Sequence, residues 1–167
     1  MVDSHNVFSK GIAYNNPEYL FNINLMMRTG GKLKTDLLID REKKLYTANT
    51  SAKDLNLNFL LPYIKDLMFI RSFNGIVNSE TFLTGDMNKT ENLALSGSLD
   101  ITGFSVVDTL NEKLASVENI SIKIDSINSA NGLYNFNKIS VIHPYANIAM
   151  YDKGFNYERI LVTPAGD

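Results

Sequence analysis

From Asn92 to Asp108 the chain reads "NLALSGSLDITGFSVVD". Leu93, Leu95, Gly97, Leu99, Ile101 and Gly103 alternate with Ala94, Ser96, Ser98, Asp100 and Thr102. One side is apolar or small and the other is almost wholly polar. A period of two is that of a β-strand, whose side chains point alternately to two faces. Most of the chain has this period. "YLFNINLMM" sets Tyr19, Phe21, Ile23, Leu25 and Met27 on one side. After "TGG" (29–31), "KLKTDLLID" sets Leu33, Thr35, Leu37 and Ile39 against Lys32, Lys34, Asp36 and Asp40. Two such runs about a Gly-Gly turn predict a β-hairpin. "KLYTANTSA" predicts a third, less regular strand.

The period then changes. In "LNLNFLLPYIKDLMF", Leu57, Leu60, Leu61, Ile64, Leu67 and Met68 recur at helical spacing. Asn58 is placed to cap the start, and Pro62 is tolerable only in the first turn, where its missing N–H costs nothing. One short helix is expected near 59–69, its apolar stripe packed on a sheet. Period two returns in "FNGIVNSETFLTG" (73–85), in the stretch already described, and in "NISIKIDSI", where Ile120, Ile122 and Ile124 oppose Ser121, Lys123 and Asp125. "LYNFNKISVIHP" breaks phase at Asn137–Lys138, which predicts a bulge or kink. "YANIAMYDKG" closes the pattern with Ile148 and Met150 on one side. Polar turns such as "DMNKTEN", "TLNEKL" and "SANG" separate the runs, so the connections are hairpins. The fold class is mainly β: a curved, largely antiparallel sheet of hairpins, a β-groove or half-barrel, with one short helix.

Composition narrows the picture. The 167 residues suffice for one domain, 44% are hydrophobic and 20% charged, as in globular proteins. The net charge of −2 comes from mixed signs and gives no basic stripe, so a nucleic-acid partner is not expected. No cysteine is present, which excludes disulfides and thiolate chemistry. No signal peptide and no membrane-length apolar run is seen in the chain.

Catalysis needs a constellation of groups, and the sequence offers none. His5 lies in what reads as a frayed start, and His143 precedes Pro144 at a strand end. Neither has a second histidine at metal-ligand spacing. Asp100 and Asp108 would serve as an acid/base pair only if a neighbouring strand supplied a partner. Solvated strand faces and turns are the plainer account of both. "SAKD" (51–54) and "SVVD" (105–108) match the weak capping pattern, the first as a turn before the helix and the second by chance. No enzyme, metal site or cofactor is expected. What remains is a long apolar face that one short helix covers only in part.

Over Leu60 to Leu161 the residues resemble the AsmA-like family of bacterial envelope proteins, relatives of TamB. The resemblance rests on "LLPYIKDLMFIRSFNGIVNSETFLTG", "NLALSGSLDITGFSVVD", "LASVENISIKIDSI" and "LYNFNKISVIHPYANIAMYDKGFNYERIL". The matching positions are Gly75, Gly85, Gly97, Asp108, Pro144, Asp152, Gly154 and Asn156. Residues 1–58 fit as further hairpins without a family mark. The resemblance implies an internal fragment of a longer periplasmic protein, anchored in the inner membrane by a segment absent from this chain. It implies a β-groove, repeated along the polypeptide, that carries phospholipid in outer-membrane biogenesis without enzyme activity or cofactor. Leu93, Leu95, Leu99, Ile101, Ile120, Ile122 and Ile124 are then the lipid-facing candidates, on one concave and partly open face. The alternative is an interaction module with a closed β core that pairs by its edge strands with adjacent repeats or partner proteins.

Overall fold

A computed structural model describes residues 2–10, 15–64, 68–89, 91–152 and 154–160. The strands are β1 (Val2–Lys10), β2 (Glu18–Met27), β3 (Lys32–Asp40), β4 (Leu45–Asn56), β5 (Ile70–Asp86), β6 (Leu93–Asp108), β7 (Lys113–Asn128) and β8 (Leu133–Ile142). Each pairs antiparallel with the next in sequence, so the chain is one continuous meander. The two-residue β9 (Tyr145–Ala146) follows β8 along the outer side of β7, and β10 (Met150–Tyr151) pairs with β11 (Gly154–Phe155). The sheet is curved and does not close into a barrel: β1 and β8 remain its two edges.

Between β4 and β5 a 3-10 turn, Leu57–Leu60, runs into α1, Leu61–Ile64. The helical segment therefore starts earlier than the spacing predicts. Asn56, not Asn58, caps it, its side-chain oxygen accepting the Asn58 amide at 2.9 Å. Leu67, part of the predicted stripe, lies outside the described residues, and Phe69 already leads into β5. Pro62 sits in the first turn of α1, as its missing donor requires.

Other expectations are corrected. His5 is not in a frayed start: it lies in β1, opposite Leu25. "SAKD" is not a turn before the helix but a bulge within β4, where Asp54 takes φ +53° and its amide donates to Asn78 Oδ1 at 2.9 Å. Ile148 does not continue a strand with Met150: it falls between the short β9 and β10 and is 67% exposed.

The register separates two faces. One ladder runs Phe21, Leu37, Ala48, Leu83, Leu95, Ile127, Tyr134 from β2 to β8. The next but one runs Leu25, Leu33, Ala52, Ser79, Leu99, Ile122, Ile139. Between these on the opposite face runs Asn24, Lys34, Ser51, Glu80, Ser98, Lys123, Lys138. Directly paired residues share a face in an antiparallel sheet, so local alternation becomes a sheet-wide division. The polar face is knitted by cross-strand hydrogen bonds: Asn22 to Asp36 at 2.6 Å, Ser51 to Glu80 at 2.5 Å, and Ser121 to Asp100.

The buried core is small. Ala52, Leu55, Leu57 and Val77 form it, with Phe59, Leu60, Leu99, Ile101 and Phe104 packed around them. It sits where the 3-10 turn folds back over the apolar face at β4, β5 and β6. Phe73 and Phe104 meet edge to face there, ring centres 5.5 Å apart. The chain's accessible surface is 11183 Å². A compact monomer of this mass exposes about 8,300 Å². A single-layer sheet with a partial cover accounts for the excess.

Candidate functional site

The seven apolar candidates are brought to one face. Leu99 lies opposite Ile122, Ile101 opposite Ile120, and Gly97 opposite Ile124. Leu93 and Leu95 extend the same alternation toward the β5–β6 turn, opposite Gly85 and Leu83. All seven are half-buried, none fully. They divide into two groups. Leu99 and Ile101 pack on the cluster around Leu57 and belong to the small core. Leu93, Leu95, Ile120, Ile122 and Ile124 lie outside the packing around that cluster.

Bulges extend this face beyond what strict alternation allows. In β7 an extra residue at Asp125–Ser126 resets the phase, so Ile127 joins Ile120, Ile122 and Ile124. In β8 Asn137 is the extra residue, and Tyr134 and Phe136 share the face with Ile139 and Val141. The predicted phase break at Asn137–Lys138 is this bulge. These five residues were not among the candidates. The signal for four of them was the three-residue step from Phe136 to Ile139 across that break.

Gly97 shapes the middle of the face. Its φ of +138° is disfavoured for a residue with a side chain, and a Cβ there would run into the Glu80 carbonyl and Thr81 Cα. β5 and β6 therefore meet with no bulk at Gly97, flanked along β6 by Leu95 and Leu99. Thr35, Thr50 and Thr81 continue the same rank. Thr35 and Thr50 share a 3.1 Å hydroxyl bond, and Thr81 donates to the Thr50 carbonyl at 3.4 Å. The rank is thus narrower than the leucine-rich ranks on either side, and its hydroxyls already have partners.

The carboxylates expected on the polar side have structural partners. Asp100 accepts from Ser121. Asp108 is 2% exposed, so a solvated turn does not describe it. Its Oδ1 accepts the amides of Leu110 at 2.9 Å and Glu112 at 2.8 Å, closing the β6–β7 turn. As a capping pattern "SVVD" is chance, since Ser105 lies inside β6; it is Asp108 that holds the turn after the strand. His143, exposed as expected, contacts Glu118 at 2.6 Å. A hollow of about 360 Å³ on the polar face is lined by Lys34, Asp36, Asn49, Ser51 and Glu80 among others, with Glu80 held by Ser51. Among the described residues no group of three or more His, Asp or Glu stands together to hold a metal ion. No described helix is long and apolar enough to cross a membrane.

Asn156 is fully buried and ties down the segment after β9. Its side chain accepts the Ala149 amide at 3.0 Å and donates to the Asn147 carbonyl at 2.8 Å, while its own amide donates to the Ala149 carbonyl at 2.9 Å. Comparison of the chain with protein-family models, curated proteins and solved structures returns no match.

Proposed function

We propose that this chain binds the acyl chains of phospholipid along the apolar face of its sheet, as a non-enzymatic segment of a periplasmic lipid-transfer protein in outer-membrane biogenesis. The carrying observation is the mismatch between the face and its cover. Apolar ladders cross from β2 to β8, while the 3-10 turn and its cluster occupy only the part around Leu55, Val77 and Ile101. The face left over, from Leu93 and Leu95 to Ile120, Ile122 and Ile124, has the chemistry of an acyl-chain contact. Each methylene removed from water contributes about 0.8 kcal/mol. No precise polar partner is needed, so a bound chain shifts along the leucine- and isoleucine-rich part of the face at little cost. The envelope location and the inner-membrane anchor of a parent protein rest on the AsmA-like resemblance alone.

The experiment is lipid extraction from purified protein with mass spectrometry, followed by uptake of fluorescent phospholipid. Wild type is expected to carry and take up lipid, and Ile122→Asp to lose uptake while still folding, with its unfolding midpoint measured in parallel. A lipid-free preparation that takes up no label would sink the proposal. The reading as an interaction module has one observation in its favour, the exposed apolar edge strand β8, whose consequence is separate.

A further inference from the structure

Of twenty large hydrophobic residues exposed in the described chain, eleven fall between Leu133 and Tyr157. Six of them are in β8 alone: Leu133, Tyr134, Phe136, Ile139, Val141 and Ile142, each at least 43% exposed. The register places Leu133 and Ile142 on the polar face and the other four on the apolar face. β8 carries two devices ordinary in edge strands, Lys138 and the bulge at Asn137, but it also exposes six large apolar side chains, which on a free edge make a surface for pairing. β8 ends the sheet, and its outer backbone edge has no strand partner among the described residues.

The order of residues within β8 identifies the missing neighbour. The bulge at Asn137 sits at the middle of "LYNFNKISVI" and flips the phase there. The two halves therefore mirror each other in type. An antiparallel copy placed about a two-fold axis between Asn137 and Lys138 sets Leu133 against Ile142, Tyr134 against Val141, and Phe136 against Ile139. Asn135 meets Ser140. Apolar meets apolar and polar meets polar at these positions, and the irregular steps of the two strands coincide. Such self-complementarity is what an isologous two-fold contact requires. We infer that β8 pairs with β8 of a second copy, forming a dimer whose apolar faces run on from one sheet to the other. The two-fold axis stands perpendicular to the sheet, so each apolar face stays on the same side. Two Lys138 side chains flank the axis on the polar face, each opposite an asparagine. Their repulsion is screened by salt, so association strengthens as ionic strength rises. The inference does not rest on lipid binding.

The native chain has no cysteine, so introduced thiols report alone. Asn135→Cys and Ser140→Cys variants, full-length, are mixed and oxidised, and sedimentation velocity is run on the wild type. The expected result is a dimer, with a disulfide between the two variants in the mixture and none in either variant alone. A cross-link in a single variant would mean another register. A monomer at every concentration, or open-ended polymers, would overturn the pairing. Ile139→Lys separates association from folding: Ile139 is 61% exposed in the single chain. Its dimer dissociation constant is expected to rise at least tenfold with the thermal midpoint little changed. An unchanged constant would likewise overturn the proposal.

Discussion

Leu99 of β6 lies directly opposite Ile122 of β7, and of the two only Leu99 packs on the buried cluster formed by Ala52, Leu55, Leu57 and Val77. The boundary between closed core and open face passes between these paired residues. Their truncation should have opposite consequences. Leu99→Ala is expected to cost about 2 kcal/mol, the low end for a leucine in a packed core. Ile122→Ala should cost about 1 kcal/mol or less, yet weaken lipid uptake more. Urea unfolding and fluorescent-lipid titration of the two variants measure both. Equal stability losses would place Ile122 in the core as well.

Gly97 and Gly103 both have positive φ, but their surroundings differ. A side chain at Gly97 meets the backbone of β5, while at Gly103 it meets open space. Gly97→Val is expected to destabilise the sheet by about 2 kcal/mol or more through strain and strand separation. Gly103→Asn should be nearly neutral, because Asn tolerates the left-handed region that φ +64° occupies. Thermal unfolding of the pair decides the point.

Asn156→Ala removes two side-chain hydrogen bonds and leaves the Ala149 amide and the Asn147 carbonyl without that partner. A cost of about 1–3 kcal/mol is expected for buried groups of this kind. Because these bonds lie beyond the main sheet, the loss should be local. Hydrogen exchange at Ala149 should accelerate while amides of β5 and β6 keep their protection. Global unfolding of the variant would show instead that this segment supports the whole sheet.

The β3–β4 turn carries a pH dependence. The Lys43 amide donates to Asp40 Oδ1 at 2.9 Å, and the Lys43 ammonium stands 2.9 Å from Oδ2. These contacts, the amide bond foremost, hold the Asp40 carboxyl below its ordinary value of 3.8 and, through the side-chain bond, raise Lys43 above 10.5. For a lowered acid, the contribution is present above the ordinary value and disappears as pH falls through the folded one. For the raised base it is present below the ordinary value and disappears as pH rises through the folded one. The turn is thus best held between the two. An NMR titration of the Lys43 amide should show a transition below 3.8, absent in Asp40→Asn. A transition at or above that value would remove the assigned cause.

The sequence by itself determined most of the strands, their turns and their two-sidedness. Alternation is a property of neighbours in the chain, and a hairpin converts it into a face without further information. Thus Ile120, Ile122 and Ile124, and the break at Asn137, were legible. So was the grouping of Leu93, Leu95, Leu99 and Ile101. Tertiary structure decided what lies across from each residue. Whether Leu99 meets Leu57 or a ligand depends on how far the short helical segment folds back, which no period encodes. The bulge in β7 added Ile127 to the apolar face, and β1 gathered His5 into a strand that its weak pattern hid. Asp108 looked like a solvated turn residue because burial is conferred by the rest of the fold around it. The open edge at β8 has the same origin. A strand of this composition reads alike in the middle of a sheet and at its end, and only the order of strands in space shows that β8 has no outer strand partner among the described residues.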